Sequence, residues 1–152
     1  MARELGMDVA QVFRAVRQAA ASRLLIADLT TSNPSYQPHR AALLELLVHG
    51  VKYMMVPDRG RLTRGMPTAH GAPILANQLV STGDPPPVWP TSDGTVRGES
   101  FQPLHRCVPG AAARDSRFYD AMALVDAIRD GRARERKLAA GLLKEVLDAR
   151  RD

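Results

Sequence analysis

Residues 2–27 read ARELGMDVAQVFRAVRQAAASRLLIA. A short run ending at Leu5 meets Gly6, Met7 and Asp8. From there Val9, Val12, Phe13, Val16 and Ala20 recur at the period of a helix, predicted to run from Val9 to about Ser22. Asp8 suits its N-cap, where a carboxylate accepts from free amides of the first turn. Gly6 suits a tight turn, because glycine adopts positive φ without a Cβ penalty. This order is expected of a helix-turn-helix. Residues 2–5 would end the supporting helix, Met7 would be the buried turn residue, and the helix from Val9 would face the major groove. Gln11, Arg14, Arg17 and Gln18 point away from its apolar stripe. Arginine can bond guanine through two donors and glutamine can pair with adenine in the same way, so these side chains suit base reading.

Outward from this stretch, Arg23 leads into a short strand, Leu24–Ala27, and a loop, Thr30–Gln37, containing Asn33-Pro34. Together they suggest a wing, with Arg23, Ser32, Asn33 and Tyr36 able to reach phosphate or the minor groove. Pro38–His49 predicts a helix with Leu43, Leu44, Leu47 and Val48 inward and Gly50 as its stop. Val51–Val56 is a strand candidate ending at Pro57. Residues 57–112 are rich in Pro and Gly, with turn signals at Asp58-Arg59-Gly60, Thr82-Gly83-Asp84 and Ser92-Asp93-Gly94. Beyond them, Asp115 or Ser116 caps a helix striped by Phe118, Ala121, Met122, Val125 and Ile128, and Gly131 interrupts it. A last helix carries Leu138, Leu142, Leu143, Val146 and Leu147, although Gly141 inside it costs about 1 kcal/mol relative to Ala. The expected class is α+β, mainly α, in three parts. These are a winged helix-turn-helix-like part at 1–56, a loop-rich middle with short strands at 57–112, and a C-terminal helical interaction segment at 113–152.

Lys plus Arg outnumber Asp plus Glu by 21 to 16, a net charge of +5. The excess favours an anionic partner such as nucleic acid without demanding one. Nearly all the cations are Arg, the better reader of phosphate and guanine, although a genome rich in G and C also favours Arg, Ala, Gly and Pro. Cys107 is the only cysteine, so no disulfide can form within the chain and no Cys pair can build a zinc site. A reducing cytoplasm fits. The N-terminus lacks an apolar signal core, and no apolar run is long enough to span a bilayer.

Little else carries chemistry. Gly60 and Gly65 have the spacing of the P-loop glycines, but Met66 and Pro67 stand where Lys and Ser/Thr are needed. Arg59, Arg61 and Arg64, with His70 beyond them, suggest an anion contact in a glycine-rich loop. His39, His49, His70 and His105 are scattered without ligand spacing, so no metal is expected. His105 and Cys107 lack an orienting third group for thiol catalysis. Neither a cofactor nor an enzymatic activity is expected.

The N-terminal stretch resembles the Leu-Ala-x-x-Leu-Gly-Met-Ser segment of MarR-like winged helices. LLELLVHGVKYMMVPDRGRLTRGMPTAHGAP at 43–73, PPPVWP at 85–90, GTVRGESFQPLHRCVPGAA at 94–112 and LVDAIRDGRARERKLAAGLL at 124–143 resemble a family of uncharacterised bacterial winged-helix regulators. The resemblance implies a DNA-binding transcriptional regulator, with an antitoxin of a toxin–antitoxin pair as an alternative. Such families carry a further helix before the one ending at Leu5. This chain is therefore expected to be N-terminally truncated, with that helix supplied by a longer native chain or a neighbouring subunit. The partners expected are double-stranded DNA, a second copy of the chain, and a protein held by the C-terminal helices. The remaining alternative is a small enzyme or anion-binding protein using Arg59–His70.

Overall fold

The computed structural model describes residues 2–28, 30, 35–79 and 83–149. It is a mixed α+β structure. Helix α1 (Ala2–Leu5) and helix α2 (Val9–Ala21) are followed by an antiparallel hairpin of β1 (Leu25–Asp28) and β2 (Ser35–Pro38). The expected loop at Thr30–Gln37 is therefore shorter, because Ser35, Tyr36 and Gln37 pair with Asp28, Ala27 and Ile26. The hairpin base is closed where the His39 amide donates to the Leu24 carbonyl at 2.9 Å. His39 then caps the next helix, its Nδ1 accepting from the Ala42 amide at 3.1 Å.

That helix comprises α3 (Arg40–Glu45), a π-helical turn (Leu46–Gly50) and α4 (Val51–Met54). Two expectations are corrected here. Gly50 does not stop the helix, and Val51–Val56 is not a strand. Continuing the helix one more turn buries Val51 in the core, and that tertiary gain overrides the local strand preference of a β-branched residue.

The Pro/Gly-rich middle is more ordered than its composition suggested. β3 (Arg59–Pro67) pairs antiparallel with both β4 (Pro87–Pro90) and β5 (Val96–Phe101), and β4 and β5 pair parallel with each other. Three strands thus close on themselves. The expected loop and turn at Arg59–Gly65 is corrected to a strand with a bulge between Arg59 and Leu62. Glycine is required by close approach. A Cβ at Gly65 would collide with the Trp89 carbonyl, and one at Gly98 with the Pro86 carbonyl. A 3-10 turn (Ala69–Gly71) and the short α5 (Pro73–Ala76) follow β3.

Helices α6 (Val108–Ala112), α7 (Ser116–Asp130) and α8 (Ala133–Asp148) complete the chain. Asp115 caps α7 as expected, its carboxylate accepting from the Phe118 amide at 3.0 Å. Helix α7 lies between two apolar clusters. Leu124, Val125, Ala127 and Ile128 pack with Val51, Leu75, Ala139 and Leu143. Phe118, Tyr119 and Met122 pack against Trp89, Phe101, Val108 and Ala112. Leu138, Leu142, Val146 and Leu147 of α8 pack against the chain's own core.

Within this core lies a polar knot. Asp126 Oδ2 accepts from Thr68 Oγ1 at 2.8 Å and from Trp89 Nε1 at 2.7 Å, and Oδ1 accepts from the Arg129 guanidinium at 2.6 Å. Arg129 also donates to the Met55 carbonyl at 2.8 Å and the Gln102 carbonyl at 3.1 Å, and lies over the Phe101 ring. Beside the knot, burial and the nearby Asp120 push the Tyr119 hydroxyl up to about 12. That hydroxyl donates to the Pro67 carbonyl at 2.8 Å.

Candidate nucleic-acid interface

Helix α1 ends with the Gly6 φ at +62°. The Met7 amide donates to the Ala2 carbonyl at 3.1 Å, and the Gly6 amide to the Arg3 carbonyl at 3.3 Å. This pair of bonds is a Schellman closure around a left-handed residue, so Gly6 does what its position in the sequence suggested. Met7 is half-buried. Asp8 occupies the N-cap of α2 with extended backbone, but its side chain makes no capping bond. The expected carboxylate cap is corrected to a backbone one, in which the Asp8 carbonyl accepts from the Val12 amide at 3.1 Å.

Helix α2 carries Gln11, Arg14, Arg17 and Gln18. Arg14, Arg17 and Gln18 are exposed and Gln11 is half-buried. Neither Arg14 nor Arg17 makes a salt bridge to any described residue. The Arg17 guanidinium lies 5.9 Å from the centroid of the Phe13 ring, one helical turn earlier, an arrangement that leaves its N–H edges free to donate. The apolar stripe of α2 differs from expectation. No residue of the helix is buried, and Val9 and Phe13 are 71% and 60% exposed.

Helix α2 also ends in a Schellman closure. The Leu24 amide donates to the Ala19 carbonyl at 2.8 Å and the Arg23 amide to the Ala20 carbonyl at 3.0 Å. Here the left-handed residue is Arg23, with φ at +60°. A side chain in that conformation costs about 1–2 kcal/mol where glycine would cost nothing. Strain of this kind persists at positions whose side chain serves a purpose. Arg23→Gly is therefore expected to raise the unfolding free energy by about 1 kcal/mol. Thermal melts check this, and a variant no more stable than the parent chain would show that Arg23 carries no strain.

The hairpin β1–β2 follows directly. Ile26 and Tyr36 on it are 54% and 40% exposed. Asn33 lies outside the described residues. At the start of the connection, the Asp28 carboxylate accepts from the Thr30 amide at 3.0 Å and its hydroxyl at 2.6 Å. These bonds hold the carboxyl below its ordinary value.

The second expected cluster is divided by the fold. Arg59 and His70 line an open cleft of about 750 Å³ together with Glu99, Asp130, Arg132 and Glu135. Arg61 and Arg64 do not line it. Arg59 bonds Glu99 and Asp130 at 2.5 Å each. Burial alone would lower its guanidinium, but the bonds to Asp130 and Glu99 reverse this and hold it above its ordinary value. Of the residues expected at a possible anion contact, Arg59 and His70 thus share the cleft, and Arg61 and Arg64 lie outside it. Strand geometry separates the two pairs, and carboxylates already occupy Arg59. His105 lies against Cys107, Nδ1 to Sγ 3.0 Å, and neither lines the cleft. Among the described residues no group of three or more His, Cys, Asp or Glu is placed to hold a metal ion. No described helix is long and apolar enough to cross a membrane.

Sequence reading missed Thr68, Trp89, Asp126 and Arg129. The signal available was the i,i+3 spacing of Asp126 and Arg129 on a helix, with the chain's single tryptophan in search of a partner for its N–H. No protein-family model, curated protein or solved structure matches this chain.

Proposed function

We propose that the chain is a DNA-binding transcriptional regulator of the winged helix-turn-helix kind, related to the MarR-like regulators that its sequence resembles. Helix α2 is the recognition helix and the β1–β2 hairpin is the wing. The observation that carries this reading is the exposed Arg14/Arg17 face, without carboxylate partners among the described residues. It follows immediately on the positive-φ turn at Gly6. Gln11, Arg14, Arg17 and Gln18 read base edges in the major groove, and Arg23 meets phosphate where the hairpin begins. Two copies related by a two-fold axis would read a palindromic site.

Selection of duplexes from a random library tests the proposal. The expected result is an enriched motif bound at physiological salt 10³-fold or more above competitor DNA, the order of magnitude usual for specific binders. Retention of no duplex, or of all duplexes equally, would overturn sequence-specific regulation.

A second reading draws on the exposure of Val9 and Phe13. An apolar stripe left open on a periodic helix also suits a protein contact, as in an antitoxin held by its toxin. It uses the face of the same helix that adjoins the first, where the Phe13 ring lies under Arg17. Substituting Val9 by Ser should then weaken partner binding and leave DNA binding in place.

A further inference from the structure

The register of the closed sheet sets two arginines directly opposite each other. Arg64 of β3 and Arg97 of β5 are Cα partners on an antiparallel ladder. Both are exposed, and Arg61, the residue before Leu62 of the Leu62–Glu99 pair, is exposed as well. Like charges set opposite on a sheet destabilise it, so a neighbouring carboxylate is the usual remedy. None is present. Arg61, Arg64 and Arg97 make no side-chain hydrogen bond or salt bridge with any described residue. Glu99, two residues along β5 from Arg97, bonds Arg59 instead, as does Asp130 at the end of α7.

The position of this pair relates it to α1 and α2. Arg114, just beyond α6, donates to the Glu4 carbonyl at the end of α1 at 2.7 Å. Its neighbour Ala113 lines a small cleft with Gly65, Thr91 and Thr95. Gly65 adjoins Arg64 in the chain, and Thr95 lies two residues before Arg97. The residues flanking Arg64 and Arg97 thus share a cleft with the stretch whose Arg114 bonds the end of α1.

We propose that Arg64 and Arg97 form a second contact to the phosphate backbone of the duplex whose bases α2 reads. The inference rests on the DNA-binding reading. A phosphate placed between the two guanidiniums supplies the missing negative charge and relieves their repulsion. The contact carries no sequence information. It adds affinity and fixes the orientation of the protein on the DNA.

The test is the salt dependence of binding to the selected duplex, for the full chain and for Arg64→Gln, Arg97→Gln and the double variant. Each phosphate contact contributes about 0.9 to the slope of log K against log [salt]. The double variant should therefore lose roughly 0.9 from that slope and keep the same preferred motif. Arg134→Gln, on the exposed face of α8, should change nothing. Removing one arginine of a repelling pair does not harm folding, and melting temperatures at or above that of the parent chain confirm that binding is what changed. A parent chain that binds with a slope the double variant shares overturns the sheet contact and leaves the α2 reading standing. A lowered slope, with a motif unaffected by Arg14→Ala and Arg17→Ala, supports the sheet contact and overturns α2 as the reader. Absence of any duplex binding by the parent chain overturns both.

Discussion

If α2 reads DNA as proposed, Arg14→Ala and Arg17→Ala are each expected to weaken binding to the selected duplex by about 1–3 kcal/mol, roughly five- to 150-fold, and to relax the motif at one position each. The loss follows from geometry. A guanidinium bonded through two donors to a guanine edge cannot be replaced by water without leaving base acceptors poorly matched. The two residues sit three apart on α2, close enough to meet neighbouring base pairs. Their effects need not add, since both depend on how the helix docks. Stability should barely change, because no residue of α2 is buried and neither arginine makes an ion pair with a described residue. Circular dichroism and thermal melts separate the two effects. Unchanged affinity for both variants, in a chain that melts normally, would remove α2 from the interface. A uniform loss across all sequences would instead make both arginines phosphate contacts.

The parts of the structure that could be read from the sequence are those whose local and tertiary preferences agree. Gly6 was legible because one residue type fits a left-handed turn. Helices α2, α7 and α8 were legible because their apolar periods are long and unbroken. The closed sheet was not. Its strands contain Gly60, Gly65 and Gly98 and are bounded by Pro67, Pro87 and Pro90, residues that signal turns in isolation. Their reason is non-local. Three strands closing on themselves leave no room for side chains at Gly65 and Gly98. Nor was it legible that the Arg59–Arg64 group would divide, because the bulge between Arg59 and Leu62 decides which arginine meets Glu99. Asp126 and Arg129 escaped notice for a related reason. A periodic reading of α7 assigns them to a solvated face, but the helix is covered by two clusters and both residues are buried.

Breaking that buried pair is expected to have the largest effect on stability. Asp126 and Arg129 side chains are each 2% exposed, and removing one member of such a pair costs about 3–5 kcal/mol. For a chain of this size that lowers the melting temperature by roughly 10 °C or more. Arg129→Met keeps the aliphatic stem over Phe101, whereas Asp126→Asn keeps the shape of the carboxyl, so neither variant simply opens a cavity. What each leaves behind differs. In the parent chain burial pushes the Asp126 carboxyl up, while Arg129, Thr68 and Trp89 pull it down. Without Arg129 the upward push is unopposed by any cation, and the carboxyl can take up a proton. A folded-state value raised above the unfolded one gives stability that is full at low pH and lost as pH rises through the folded value. Arg129→Met should therefore regain part of its deficit, relative to the parent chain, between pH 8 and pH 5. Asp126→Asn strands a guanidinium that cannot shed its charge, so acidification should bring it no comparable rescue. The double replacement Asp126→Asn with Arg129→Met should cost less than the sum of the single variants, because no buried charge remains. Chemical denaturation of all four chains at both pH values measures these differences. Equal pH dependence in the two single variants, or a deficit below about 1 kcal/mol for both, would mean that Thr68, Trp89 and the surrounding apolar packing hold the two halves of the core without the ion pair.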